Sequence, residues 1–164
     1  MSQNYIITNG ELYHWGIKGM KWGVRRYQNK DGSLTPAGKK RYSDEVSYMK
    51  KKHSKDRYES EAASYERELK WMNDLGYKKY AKDTYLTELS DNEQRKIFAE
   101  QQAEVRNMIE SAKHFANNTH LLSKRLDSID PSSMPYKKAV KLVRQYENDW
   151  LNETIDSDPT LRGR

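Results

Sequence analysis

The side chains that could take part in catalysis or metal binding are few, and their spacing keeps them apart. The chain has no cysteine, so thiolate nucleophiles, thiolate metal sites and disulfides are excluded. Four histidines are present, and the closest pair, His114 and His120, stands six residues apart. That spacing does not place both rings on one helix face, as the HExxH zinc motif does. We therefore predict no metal site.

Nucleotide-binding and hydrolase motifs are missing as well. The glycines match neither GxxxxGK[ST] nor a GxGxxG that follows a strand, and no GxSxG occurs. Carboxylates are numerous, but they fall in stretches with helical spacing, where they usually form a solvated face. We therefore predict that the protein is not an enzyme and has no catalytic, cofactor-binding or metal-binding residue.

The side chains best suited to binding lie between His14 and Arg26. Two tryptophans stand here beside four cations on a glycine-rich backbone. Aromatic rings stack on planar groups, cations contact anions, and glycine lets a partner approach closely. The predicted partner-contact residues are His14, Gly16, Lys18, Gly19, Lys21, Trp22, Arg25 and Arg26. The alternative is a structural cap, in which Trp22 plugs the end of a helical bundle and the cations are merely exposed.

The charge distribution also points to the first third of the chain. Residues 1–57 hold 13 basic and 5 acidic residues, a net charge of +8, whereas residues 58–164 have a net charge of −2. A basic segment attracts nucleic acid, acidic protein or anionic lipid, and a solvated surface is the alternative. No stretch approaches the roughly 20 apolar residues of a membrane span, so we predict no membrane partner.

A longer pattern surrounds these binding residues. Residues 13–42 read YHWGIKGMKWGVRRYQNKDGSLTPAGKKRY. This stretch resembles, nearly position by position, a segment of tailed-phage and prophage proteins from Gram-positive gut bacteria, described as uncharacterised or as virion structural proteins. Trp15 stands where a second histidine is frequent. The segment is joined to different neighbours in different phage proteins, so the resemblance implies phage origin and a portable module.

Three hypotheses follow for the function. The first is a structural protein of phage virion or head assembly, which acts by protein–protein binding to phage structural proteins. The second is a small host-takeover protein that binds a host protein and inhibits a bacterial nucleic-acid-targeting defence system. The third is a nucleic-acid-binding accessory protein that uses the basic N-terminal third. The expected location is the virion or the host bacterial cytoplasm.

Three segments must position these residues. Residues 1–34 are predicted to form a small β-hairpin around Asn9-Gly10, a Gly-rich loop and a second turn at Asp31-Gly32. Residues 35–155 are predicted to be helical, and residues 156–164 to be a frayed tail.

The helical region shows clear start and stop signals. Thr35-Pro36 suits a helix start. The apolar spacing changes phase between His53 and Tyr58, which predicts a bend, a change of partner face or a helix boundary. Leu75-Gly76 predicts a helix end. Ser90 and Glu93 form a capping-box pattern before a long apolar stripe that predicts a helix over 91–128. A last helix is predicted to begin at Tyr136.

Each of these helices carries a single apolar stripe, and the aliphatic content is low, with 26 Leu, Ile, Val and Phe in total. Such helices must pair within the chain or between chains. The predicted fold class is therefore mainly α, an elongated helical bundle or coiled-coil-like helices with an N-terminal hairpin and Gly-rich loop. A homo-oligomer is the expected assembly.

Overall fold

A computed structural model describes residues 26–161, and this part of the chain is mainly helical. It contains five helices: α1 (Pro36–Lys52), α2 (Lys55–Leu75), α3 (Tyr77–Asp83), α4 (Asp91–Asp127) and α5 (Tyr136–Ser157). In residues 26–161, extended pairing is limited to one antiparallel bridge between Gln28 and Leu34. The mainly α fold class is confirmed, whereas the hairpin and Gly-rich loop predicted at 4–23 fall outside the described residues.

The helix boundaries follow the local sequence signals. The Thr35 side chain accepts a hydrogen bond from the Gly38 amide, and Pro36 occupies the first helical position, where its missing N–H is not needed. Ser54 caps α2 in the same way, so the predicted boundary between His53 and Tyr58 is confirmed. Helix α2 ends at Leu75, before Gly76, as predicted.

Helix α4 confirms the prediction for residues 91–128. Its 37 residues make it about 55 Å long at 1.5 Å per residue. Ser90 and Glu93 form the reciprocal capping box. The buried side chains on α4 belong to the predicted stripe and include Val105, Ile109 and Leu126.

Two parts of the chain differ from the sequence prediction. The short helix α3 was not predicted, because seven residues are too few to show a helical period. The predicted frayed tail begins at residue 156, but α5 continues through Ser157. The chain then stays packed because the fully buried Asp158 accepts hydrogen bonds from Ser111 and Thr160.

The helices pack by their apolar stripes within one chain. Helix α2 runs antiparallel to α4, as shown by the Asn73–Gln102 hydrogen bond and by the Glu66–Lys113 ion pair. Helix α1 runs parallel to α5, since Glu45 pairs with Arg144 at one level and Lys52 with Glu147 further along.

The larger apolar cluster lies where α1, α2, α4 and α5 meet. Its buried members include Tyr42, Met49, Leu126, Val143 and Trp150. A smaller cluster of Met72, Val105 and Ile109 lies between α2 and α4. No helix within residues 26–161 is long and apolar enough to cross a membrane.

Candidate functional site

The predicted partner-contact residues lie at or beyond the N-terminal edge of the described structure. Arg26 is the first described residue, and its side chain is exposed. The other seven are outside the described range: His14, Gly16, Lys18, Gly19, Lys21, Trp22 and Arg25. What the structure describes is how the chain that follows them, residues 26–42, is attached to the helices. We call residues 26–42 the clasp.

The first part of the clasp is a tight turn. The Asn29 amide donates to the Ser33 carbonyl at 2.7 Å, and the Gly32 amide donates to the Asn29 carbonyl at 3.2 Å. Gly32 has a φ of +93°, a conformation that disfavours any side chain. Asp31 accepts hydrogen bonds from both the amide and the hydroxyl of Ser33. The turn predicted at Asp31-Gly32 is thus confirmed.

Thr35 joins the turn to helix α1. Its Oγ1 accepts from the Gly38 amide at 3.1 Å, which caps the helix. The same hydroxyl donates to the Arg26 carbonyl at 2.7 Å. The Thr35 hydroxyl therefore both binds the backbone of the incoming chain and caps the first turn of α1.

Gly38 allows the incoming chain to cross α1 at close range. A Cβ atom built on Gly38 would lie 2.1 Å from the Tyr27 carbonyl oxygen. No real side chain fits at that distance, so the crossing requires glycine even though glycine weakens a helix.

Tyr27 then connects the clasp to α5. Arg41 donates to the Tyr27 hydroxyl at 2.6 Å, and its guanidinium lies 4.9 Å from the centre of the Tyr27 ring. The Tyr27 ring also packs against Tyr136, with ring centres 5.2 Å apart. The clasp thus fixes the start of the described chain to α1 and α5 together.

These contacts divide the motif at residues 13–42 into two parts. Residues of its second part have structural roles inside the clasp: Tyr27, Gln28, Asp31, Thr35, Gly38 and Arg41. Arg26 contributes its carbonyl to the clasp, while its guanidinium lies 5.5 Å from the centre of the Tyr27 ring.

A second group of polar side chains is buried at the junction of α1, α2 and α5. His53 is 6% exposed, and its Nε2 lies 2.7 Å from Glu147 Oε1. Its Nδ1 lies 2.9 Å from the Tyr58 hydroxyl. Lys52 donates to the same Glu147 oxygen at 2.7 Å. We call these four residues the junction network.

The geometry fixes where the protons of this network lie. A carboxylate only accepts, so Nε2 of His53 carries a proton and donates it to Glu147. In the neutral imidazole Nδ1 is then the acceptor, and the Tyr58 hydroxyl donates to it. The result is a chain of hydrogen bonds from a phenol through an imidazole to a carboxylate that is neutralised by Lys52.

Burial sets the ionisation of the network. Burial lowers the pKa of His53 below its ordinary 6.5, and the hydrogen bond to Glu147 does not overcome this effect. Burial alone would raise the pKa of Glu147, but hydrogen bonds from Lys52 and His53 outweigh it and hold that pKa below 4.5. The stable state near neutral pH is a neutral His53 beside an ionised Glu147.

The sequence analysis placed His53 and Tyr58 on an apolar stripe but missed Lys52 and Glu147. A signal for Glu147 was present, because it continues the buried face of α5 formed by Ala139, Val143 and Trp150. A carboxylate on such a face needs a buried partner. Within the described part of the chain, no group of three or more His, Asp or Glu side chains is arranged to hold a metal ion.

An open groove of about 400 Å³ lies between α2 and α4, beside this junction. Tyr58 and Phe115 line one part of it, while Glu61 and Glu104 bring negative charge. The Tyr58 hydroxyl already donates to His53, so the phenol is a structural donor in this arrangement.

Comparison with known proteins adds one short match. A family described as a family of unknown function (DUF7211) matches residues 6–29 of the chain. The match includes all eight of the predicted contact residues and the first part of the clasp, and it leaves the helices unmatched. Searches of curated proteins and of solved structures gave no match.

Proposed function

We propose that the protein is a structural component of phage virion or head assembly that acts by protein–protein binding. In this proposal, residues 14–26 contact a phage structural protein, and the helices form the body that holds them. Trp22 anchors the contact, and Lys18, Lys21 and Arg25 supply charge to it. The phage assignment comes from the resemblance of residues 13–42.

The observation that carries the proposal is the crossing of Tyr27 over Gly38. A segment that was only exposed to solvent would not require this attachment of the following residues to α1 and α5. Here the backbone immediately after the predicted contact residues is bound to α1 through Thr35 and packed on α5 through Tyr136. Fixing one end of a binding segment reduces the entropy lost when it meets a partner. The clasp therefore supports a role for residues 14–26 as a contact presented by a folded body.

The test is incorporation into particles of the phage that encodes the protein. We expect the fourfold variant Lys18→Gln, Lys21→Gln, Arg25→Gln and Arg26→Gln to fold normally, because Gln keeps a polar side chain at each position and the proposal assigns these charges to the partner contact. Mass spectrometry of purified particles should show it strongly depleted. A matched control replaces four exposed lysines of the helices by Gln: Lys51, Lys70, Lys79 and Lys82.

Three outcomes separate the hypotheses. Depletion of the motif variant alone supports the proposal. Equal incorporation of both variants contradicts the assigned contact. Absence of the unmodified protein from particles contradicts a virion role and leaves a host protein as the partner, as the host-takeover hypothesis requires.

A further inference from the structure

The fold brings together two basic segments that are about a hundred residues apart in sequence. The first is the clasp, whose cations are Arg26, Lys30, Lys39, Lys40 and Arg41. The second is the first part of α5, with the cations Lys137, Lys138, Lys141 and Arg144. The contact between Tyr27 and Tyr136 joins the segments directly. Helices α1 and α5 then run in parallel from this point, so both sets of cations lie at the same end of the bundle.

Negative charge at this end is sparse. Neither α1 nor α5 has an acidic residue in its first turn, whereas α2 and α4 do. Residues 26–43 include one carboxylate, Asp31, which accepts hydrogen bonds from the Ser33 amide and hydroxyl. Asp44 and Glu45 follow in α1, and Glu45 pairs with Arg144 at 3.7 Å. Asp127 and Asp130, at the end of α4 and in the loop before α5, also lie near Tyr42. The nine cations therefore stand against five carboxylates, two of which, Glu45 and Asp127, are already paired with Arg144 and Lys50.

Most of these cations are free to contact a ligand. The side chains of Lys39, Lys40, Lys137, Lys138 and Lys141 are exposed. Among residues 26–161, no carboxylate lies within ion-pair distance of these five amines. Like charges held together without counter-charges destabilise a fold, which favours an anionic ligand at this place.

We propose that this basic end of the bundle binds the phosphate backbone of a nucleic acid. The five clasp cations and the four α5 cations form one surface, with Tyr27 and Tyr136 at its centre. This binding does not depend on the protein–protein contact proposed for residues 14–26. The sequence placed the positive field in the first third of the chain, and the fold adds the α5 cations to it.

The composition of the surface favours nucleic acid over two other anionic partners. Six of its nine cations are lysines, a residue depleted in protein–protein interfaces but common at phosphates. Binding to an anionic membrane surface usually adds inserted apolar side chains. The large exposed apolar residues of the described chain lie elsewhere, for example Trp71 and Tyr85.

The experiment measures the binding of a labelled 20-base-pair duplex and a 20-nucleotide single strand by fluorescence anisotropy over a range of salt concentrations. We expect binding that weakens steeply with salt, since each neutralised phosphate adds about 0.9 to the logarithmic slope for duplex DNA and about 0.7 for a single strand. Triple replacement of Lys137, Lys138 and Lys141 by Gln should weaken binding at least tenfold and lower the slope by about two.

Two further variants distinguish an effect of this surface from an effect of the protein's total charge. Replacement of Lys70, Lys79 and Lys82 by Gln removes the same charge from another part of the molecule and should leave both affinity and slope nearly unchanged. Replacement of Lys137, Lys138 and Lys141 by Arg should keep the slope. Thermal midpoints of all variants should match that of the unmodified protein, because the changed side chains are exposed.

Several results would overturn the proposal. One is the absence of binding by the unmodified protein at low salt. Another is an equal effect of the two Gln variants, which would reduce the interaction to net charge. Polyglutamate and phosphatidylserine vesicles serve as competitors, and stronger binding to either than to nucleic acid would assign the surface to an acidic protein or to a membrane.

Discussion

At the scale of single residues, Gly38 decides how the N-terminal segment meets the helices. In an exposed helix, alanine is more favourable than glycine by about 1 kcal/mol. At this position the added Cβ would meet the Tyr27 carbonyl oxygen at 2.1 Å, so backbone must move. Alanine at this position therefore has two opposing effects. Its higher helix propensity stabilises α1, whereas the clash with Tyr27 destabilises the fold by a larger amount.

We therefore expect Gly38→Ala to destabilise the protein by about 1–3 kcal/mol, the range for overpacking. Denaturant unfolding measures this change. Ser47→Ala, at an exposed position of the same helix, should be neutral or slightly stabilising. A stabilising Gly38→Ala would show that Tyr27 does not cross α1 at this distance.

The junction network makes a prediction about pH. The pKa of His53 is lowered by burial, so the folded protein holds fewer protons than the unfolded chain below pH 6.5. The pKa of Glu147 is lowered as well, so its contribution is present above 4.5 and is lost as the pH falls through its folded value. Acidification therefore lowers the free energy of unfolding through both groups, because protonation of each favours the unfolded chain.

We expect the thermal midpoint to be level above about pH 7 and to fall progressively from pH 6.5 downward. His53→Asn should remove the first part of this fall, below pH 6.5, and lower the midpoint at neutral pH. His120→Gln removes an imidazole ring at an exposed position and is the control. A midpoint that rises on acidification to pH 5.5 would mean that protonated His53 is the stable partner of Glu147.

At the scale of the helices, α4 holds the bundle together. Its buried stripe contacts α2 through Val105 and Ile109 and contributes Leu122 and Leu126 to the larger apolar cluster. A charge introduced into this stripe would be buried without a partner.

We expect Ile109→Asp, at a side chain 5% exposed, to lower the thermal midpoint by many degrees. Arg106→Asp places the same carboxylate on the exposed face of α4 and should have a much smaller effect. Circular dichroism follows both unfolding and helix content. Similar midpoints for the two variants would contradict the assigned face of α4.

At the scale of the whole molecule, the chain covers its own stripes. The expected homo-oligomer rested on apolar surface left over by single-striped helices, and the described helices pair these stripes within one chain. Any self-association must then use the side chains that stay exposed. Trp71 is 49% exposed, and Tyr85 is 90% exposed with a φ of +61°, a conformation that suits glycine better.

The homo-oligomer stays a prediction, and sedimentation tests it. We expect weak, concentration-dependent association that Trp71→Ser and Tyr85→Gly together reduce. Tyr85→Gly should leave the midpoint unchanged or raise it, because it relieves the left-handed backbone conformation. Tyr48→Ala removes another exposed ring, 63% exposed, and is the control. A single monomeric species at high concentration would exclude self-association.

The sequence by itself determined the parts of this protein that depend on near neighbours along the chain. Caps at Thr35 and Ser90, the turn at Asp31-Gly32 and the long stripe of α4 follow from side chains within a few residues of one another. A seven-residue helix such as α3 contains too few positions to show a period and was missed.

The tertiary structure decided which residues from distant parts of the chain meet. In the sequence, Glu147 is one of many charged residues, but the fold places it against His53, 94 residues away. In the sequence, Tyr27 and Gly38 are only two positions of the stretch that resembles phage proteins, and the fold shows that the chain crosses α1 here too closely for a Cβ atom on Gly38. In the sequence, the lysines of α5 belong to residues 58–164, which have no net positive charge. In the fold, the contact between Tyr136 and Tyr27 places these lysines beside the basic clasp. Burial and electrostatic fields depend on distance in space, which the order of residues does not specify.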